Sequence, residues 1–419
     1  MEMNILLLVS LIFAGETGDT LDLNTCYEIA NVNYPLKKQS EYYSGIAEKK
    51  IDNIGINYLP KITLKGWATY QSDVTKLNIS NPMFVAPEIG NDMYKLSVDV
   101  NQLIYDGGNT SALKDIERSQ MLVEKQKVEV ELYTLKQRIN DLYFGILILQ
   151  ERIKSNLLLQ KDIINKMKEI ESKIRNGALP AGNIYILEAQ LLQVEQELIS
   201  IETDKQGAVS MLSELLGEKI SSGDYFRIPD AQITETRLSD INRPEYKLFD
   251  LQKNHFKNYS TLAGIENMPR INIFGQGGYG KPGLNMLEDE FRVFGLIGLS
   301  IQWSPFDWNS SGLEKQIYEI NRNIIETQKE TFDKNLKVSL EKYFSEIKKF
   351  EDILIKDDEI ILKRKEIVKL TSSQLDNGTI TATTYLTELT NLNQSELMKQ
   401  MHQLQLLQSK INLITAKGK

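Results

Sequence analysis

Two long stretches of this chain carry apolar residues in the same rhythm. Leu135, Ile139, Leu142, Ile146, Leu149 and Ile153 step by 4, 3, 4, 3 and 4 residues. Leu336, Leu340, Tyr343, Ile347, Phe350 and Leu354 repeat those steps at an offset of 201. A mean spacing of 3.5 residues is the seam of a coiled coil. The first stretch begins after Tyr105-Asp106-Gly107-Gly108 and reaches Arg175 with no proline and one glycine, Gly145. About 67 residues at about 1.5 Å each predict a rod of about 100 Å. A compact domain cannot contain such a rod, so it must project from something. All ten prolines fall outside the predicted rods, as unkinked helices require.

After each rod comes a stop, Asn176-Gly177 and Asn377-Gly378, with a glycine suited to the left-handed residue that ends a helix. A second helix then returns. Leu187, Leu191, Val194, Leu198 and Ile201 form its apolar stripe in the first half, and Leu397, Met401, Leu404 and Ile411 in the second. Each rod is therefore one arm of a helical hairpin.

Before each rod the period changes from 3.5 to 2. Tyr94, Leu96, Val98, Val100, Gln102 and Ile104 alternate with Lys95, Ser97, Asp99, Asn101 and Leu103, one side apolar and the other mostly polar. In the second half Val293, Gly295, Ile297, Leu299, Ile301 and Trp303 alternate with Arg292, Phe294, Leu296, Gly298, Ser300 and Gln302. Strands are expected at about 60–70 and 94–104, with counterparts in the second half. Polar loops are expected at 71–93 and 280–290, and a first helix over 21–55 bends near Asn33 and Pro35. A length near ten residues suits a tilted membrane strand. Tyr105, Phe306 and Trp308 at the strand ends suit a membrane–water interface.

The halves also match elsewhere. Leu59-Pro60-Lys61-Ile62-Thr63-Leu64 corresponds to Met268-Pro269-Arg270-Ile271-Asn272-Ile273 at an offset of 209, as Pro35 does to Pro244. Asp106 corresponds to Asp307 at 201. The expected organisation is a signal segment and N-terminal lead at 1–20, a first repeat at 21–220, a connecting segment at 221–240 and a second repeat at 241–419.

Composition narrows the chemistry. The 419 residues carry a net charge of −8, two histidines (His255 and His402) and one cysteine, Cys26. Nothing is basic enough to suggest nucleic acid. A zinc site or Cys/His nucleophile needs more such residues close together. No cofactor or metal is expected, and no internal disulfide is possible. Residues 5–14 fit the apolar core of an export signal, although no Lys or Arg precedes them. Cys26 reads as a partly buried helix residue rather than a lipidation site. The acids Asp289 and Glu290 beside Arg292 lack a convergent nucleophile, so an enzyme is not expected. Gly275, Gly277, Gly278 and Gly280 open no helix and read as a glycine-rich strand, not a phosphate loop.

No apolar run is long enough for a membrane helix, and a spanning β-structure, whose signal per segment is weak, stays open. Four strands cannot close a barrel, since the smallest membrane barrels use about eight. If these four strands span a membrane, open edges in lipid cost several kcal/mol per unpaired backbone group, and several copies must pool their strands. A soluble coiled-coil scaffold or periplasmic adaptor explains the rods but not four amphipathic strands placed in two matching pairs.

With these features in place, residues from about 21 to 413 resemble the TolC-like outer-membrane efflux and secretion channels. The resemblance is carried by Leu23-Asn24-Thr25-Cys26-Tyr27-Glu28-Ile29-Ala30 with Asn33 and Pro35. Leu59-Pro60 and Met268-Pro269 look like the family's strand openings, and Asn242-Arg243-Pro244-Glu245 like the opening of its second repeat. Leu103-Ile104-Tyr105-Asp106-Gly107-Gly108 and Trp303-Ser304-Pro305-Phe306-Asp307 look like its strand–helix junctions. It implies an α+β membrane protein with two structural repeats. Three copies would form a twelve-stranded barrel in the outer membrane of a Gram-negative bacterium above a periplasmic helical barrel. The implied partners are a periplasmic adaptor (membrane fusion protein) and an RND or ABC-type inner-membrane pump. The implied role is a passive exit duct for drugs, toxic compounds or metals, with type I protein secretion as the alternative.

One departure stands out. The family's well-known members place aspartates six and nine residues after the tip glycine. Here those positions are Asn183 and Ile186 after Gly177, and Thr384 and Thr387 after Gly378. The expected gate is therefore packing and hydrogen bonding among Asn183, Thr384, Tyr385 and Thr387. Adaptor contact is expected at Arg175, Asn176, Gly177, Asp376, Asn377 and Gly378, and the strand–helix junction at Asp106, Gly107, Gly108 and Asp307.

Overall fold

A computed structural model describes residues 20–75, 89–176, 179–230 and 241–419. The expected signal segment, most of the 71–93 loop, Gly177 and half of the 221–240 connection lie outside the described residues. In order, the elements are β1 (Thr20–Leu21), α1 (Leu23–Asn33), α2 (Lys37–Gly55), β2 (Lys61–Tyr70), β3 (Asp92–Tyr105), α3 (Asn109–Arg175) and α4 (Gly182–Leu216). The second half follows with β4 (Tyr225–Phe226), α5 (Pro244–Ile265), β5 (Arg270–Lys281), β6 (Arg292–Gln302), α6 (Ser310–Asp376) and α7 (Ala382–Ala416).

The duplication is exact in length where it matters. Helices α3 and α6 have 67 residues each, and α4 and α7 have 35 each. Local chemistry sets their ends. Asp22 accepts a hydrogen bond from Thr25 N at 2.8 Å and caps α1, which stops at Asn33 ahead of Pro35. Pro244 opens α5, where its missing N–H costs nothing. Gly217 ends α4 at φ 66°, the left-handed residue a helix stop needs.

The chain forms two compact units, and neither follows the halves of the sequence. Of the described residues, one comprises those within 40–126 and 247–329, the other those within 20–39, 127–230, 241–246 and 330–419. Each unit thus draws matching segments from both halves.

The first unit holds a four-stranded antiparallel sheet in the order β2-β3-β5-β6. Lys61 pairs with Asn101, Asn101 with Phe274, and Phe274 with Gly298, with one irregularity between Leu103 and Tyr105. Beside it, α5 meets α3 where Ser119 Oγ lies 2.8 Å from His255 Nδ1. Lys50 reaches Glu117 at 2.9 Å.

The second unit is helical, with β1 and β4 forming a short parallel pair. The predicted seams are its core. Leu135, Ile139, Ile146, Leu336, Leu340 and Phe350 are buried, and the stripe residues between them are at most half exposed. Tyr143 joins them beneath the β1–β4 pair, its ring 5.4 Å from that of Phe226, and Phe144 beside it is also buried. The Tyr143 hydroxyl shares its one proton between Leu21 O at 2.9 Å and Arg227 O at 2.6 Å. A further cluster gathers Ile163, Ile170, Leu187 and Val194 of the first hairpin with Leu375, Ala382 and Leu386 of the second. Cys26 is fully buried, and burial pushes its thiol up to about 12.

Candidate functional site

Three places bear on function: the faces of the sheet, the strand–helix junctions and the hairpin ends.

The register sorts the strand residues into two faces. On one lie Ile62, Leu64, Leu96, Val98, Val100, Ile273, Ile297, Leu299 and Ile301. All are exposed on the single chain, Ile297 at 80%, as is Val293 on the same face at 82%. A continuous exposed apolar face marks a surface that must be covered. On the other face lie Lys61, Thr63, Lys65, Lys95, Ser97, Asp99, Asn101, Asn272, Gln276 and Ser300. Lys65 pairs with Asp99 at 2.7 Å, and Gln276 donates to Asp99 at 2.7 Å. Phe274 and Phe294 lie over their cross-strand partners Gly298 and Gly278, where a side chain would collide with the ring. This explains the glycine-rich strand without invoking a phosphate loop. The outer strands β2 and β6 each have one partner only within the described residues, leaving two open edges.

The acids weighed for acid–base work sit in ion pairs near the β5–β6 turn. Lys281 reaches Asp289 at 3.3 Å, and Arg292 reaches Glu290 at 3.1 Å. No cluster of three metal-ligating side chains occurs among the described residues, and no described helix is long and apolar enough to cross a membrane.

Each strand–helix junction is built on an aspartate. Asp106 accepts from Tyr58 Oη at 2.9 Å, Gly108 N at 3.0 Å and Thr110 N at 2.7 Å. Burial raises its pKa, but hydrogen bonds from Thr110, Tyr58 and Gly108 outweigh that and hold the carboxyl below its ordinary range. Asp307 accepts from Ser311 N at 2.9 Å, Asn267 Nδ2 at 2.6 Å and Asn309 N at 3.0 Å. Ser311 and Asn267 hold its carboxyl well below the usual range. The bend itself is made twice with different residues. Gly107 and Gly108 take φ of 72° and 94° in the first copy, while Trp308 and Asn309 take 54° and 67° in the second. A Cβ on Gly107 would collide with Met268, so this position needs glycine. Trp308 is 96% exposed, and Phe306 is also exposed.

At the hairpin ends, the four expected gate residues divide into two pairs. Asn183 is buried, and its Oδ1 accepts from Ala382 N at 3.1 Å, so it caps the start of α7. Tyr385 is buried beneath Lys166, whose Nζ lies 5.3 Å from the ring centre. Thr384 and Thr387 are exposed. Thr384 N donates to Thr381 Oγ1 at 3.4 Å, and Thr387 Oγ1 donates to Thr383 O at 2.9 Å. Of the expected adaptor contacts, Arg175, Asn176, Asn377 and Gly378 are exposed, and Gly177 lies outside the described residues. Gly378 takes φ 71° as the helix stop.

Asp376 is engaged inside the chain. Its Oδ1 lies 2.9 Å from Lys166 Nζ and 2.7 Å from Lys173 Nζ. Burial raises its pKa, and the two lysines more than reverse that. The Lys166 side chain is only 4% exposed and also meets Ser372 Oγ at 2.9 Å. Lys166 carries no local signal in the sequence, where it is one of many charged residues on a rod and its partner lies 210 positions away.

No family model matches the chain, and no curated protein matches it by sequence. Solved structures do match it in fold. The outer membrane protein VceC of Vibrio cholerae aligns over 94% of this chain and 96% of its own, with a TM-score of 0.64 and 16% identity. The CmeC outer membrane channel of Campylobacter jejuni aligns over 94% and 85%, with a TM-score of 0.65 and 12% identity. The open-state MtrE outer membrane channel of Neisseria gonorrhoeae aligns over 94% and 88%, with a TM-score of 0.63 and 14% identity. The chain has the fold of these channels, mostly helical with a small sheet, as the sequence leads one to expect.

Proposed function

We propose that this chain, having the TolC-like channel fold, is one third of an outer-membrane exit duct that passively conducts small molecules delivered from an inner-membrane pump. The observation that carries this reading is the sheet: four strands, one apolar face exposed, one polar face, and two open edges. An apolar face of this size needs lipid, and open edges in lipid need partners. Three copies joined edge to edge give twelve strands, enough to close around a polar lumen. The sheet's polar face then lines that lumen.

Within this reading, the duct lies in the outer membrane of a Gram-negative bacterium with the helices in the periplasm. The chain supplies a wall and no chemistry; work is done by an RND or ABC-type pump. The adaptor meets the hairpin ends around Arg175, Asn176, Gly177, Asn377 and Gly378, where exposed side chains and helix stops lie together in sequence. Asp376 acts from behind, through Lys166 and Lys173. For the gate, the exposed hydroxyls of Thr384 and Thr387 line the constriction, while Asn183 and Tyr385 hold the two hairpins of one chain together. The two repeats correspond to residues 21–220 and 241–419.

The test is assembly. Single cysteines placed along β2 and β6 should crosslink into a ladder ending at the trimer, and the protein should require detergent for extraction. A subunit that stays folded, monomeric and dissolved without detergent would remove the reading. Loss of the chain should also sensitise cells to the compounds its pump exports.

A further inference from the structure

The polar face of the sheet is not electrically balanced. Five basic residues lie on it, Lys61, Lys65, Lys95, Arg270 and Arg292, against one acid, Asp99. Lys65 is neutralised by Asp99, and Arg292 by Glu288 and Glu290. Lys95 is held by Gln276 Oε1 at 3.1 Å and over the Phe294 ring at 4.5 Å, neither of which cancels its charge. Lys61 and Arg270 have no carboxylate partner among the described residues.

Lys61 and Arg270 are counterparts. Each is the first residue of the first strand of its repeat, each follows a proline, and they are 209 positions apart. The structure brings them to one pocket of about 330 Å³ at the junction end of the sheet, lined also by Asn101, Asn272 and Gln302. The one acid in that lining, Asp106, is buried and already receives three hydrogen bonds from its own junction. Those donors are neutral and leave its negative charge in place, but its oxygens are occupied, so two cations against one engaged carboxylate leave the pocket a net positive charge among carboxamides, a site for an anion.

We propose that Lys61 and Arg270 form a cationic collar at the inner mouth of the barrel that selects anionic solutes. This rests on the duct reading above: in a trimer the collar holds six basic side chains against three Asp106 carboxylates, a net positive ring spaced by the repeat as well as by the oligomer. Rings of Arg and Lys favour anions in pores, and a cleft lined by one sign of charge concentrates the opposite ion. Chloride is then the simplest permeant probe, and pyrophosphate a multivalent probe that should linger.

Reversal potentials under a potassium chloride gradient across a planar bilayer test this. The wild-type trimer should pass chloride over potassium by about threefold or more, with micromolar to millimolar pyrophosphate reducing the current. The double variant Lys61→Gln/Arg270→Gln should lose most of that preference and the pyrophosphate effect. Lys61→Arg/Arg270→Lys should keep both, which separates charge from packing. Trimers of both variants on a native gel would establish that assembly is intact. A wild-type channel that prefers potassium, or a glutamine variant with an unchanged permeability ratio, would overturn the collar while leaving the duct standing. Absence of any conducting oligomer would instead overturn the duct reading and the collar with it.

Discussion

Lys166 Nζ lies 2.9 Å from Asp376 Oδ1, so a lysine in the lower part of α3 is tied to the last residue of α6. The lysine is buried, and the aspartate is shared with Lys173 at 2.7 Å. The two helical hairpins of one chain are thereby fastened by charge next to their turns.

Replacing Asp376 with asparagine should loosen that fastening. Asparagine keeps a neutral acceptor but removes the charge, which contributes about 1–2 kcal/mol, and the buried Lys166 would keep Glu169 as its one carboxylate partner. The expected result is faster protease cleavage near the hairpin ends and a larger single-channel conductance. Equal cleavage and conductance in the variant would argue that the pair is only incidental. The pH dependence has a definite sign. The Asp376 pKa is lowered in the folded chain, so the tie is complete above the ordinary carboxylate range and is lost only as pH falls through the depressed value. Acidification to pH 5 should leave the hairpins closed.

The junction aspartates should differ in their sensitivity. Asp106→Ala removes a helix cap and leaves Tyr58 without its acceptor, at a cost of about 1–2 kcal/mol. Asp307→Ala removes a cap at a more open position, and the loss should be smaller. Hydrogen exchange at Thr110 N and Ser311 N reads each cap directly. Asparagine at either position should retain most of the protection.

The two faces of the sheet should respond oppositely to charge. Ile297 lies in the middle of β6 on the apolar face, and Ile297→Arg should weaken assembly by about 2–4 kcal/mol. Ser300→Arg, three residues on and across the strand, should assemble normally. Heat-modifiable migration of the detergent-solubilised trimer checks both. Equal tolerance at the two sites would contradict a lipid-facing surface.

Cys26 should stay silent toward maleimide in the native protein and react after unfolding. It is fully buried, and its thiol is pushed up to about 12, leaving almost no thiolate at neutral pH. Mass spectrometry after a short pulse of reagent distinguishes the two states.

Much of the fold was readable from the residues because its signals are periodic and doubled. A 3.5-residue stripe from Leu135 to Ile153, repeated 201 positions on, specifies helices whose ends the glycines mark. Alternation around Val98 and Ile297 specifies strands and the direction of their faces. The β1–β4 pair is not legible, since two residues have no period, and with it goes the reason that Tyr143 is buried. The candidate site was less readable. Asn183 looked like a gate residue by its distance from Gly177, yet its amide is used to cap α7. Lys166 gave no local signal at all, because what makes it special is a partner on another helix.

The matched helices carry a consequence for how this chain can change. With 67 and 67 residues descending and 35 and 35 returning, the two hairpins act as rulers of one another. A deletion confined to one arm would slip its seam and leave its turn short of its twin. Removing whole heptads from all four arms together should keep both seams in phase and both turns level, much as paired strings are retuned to one pitch.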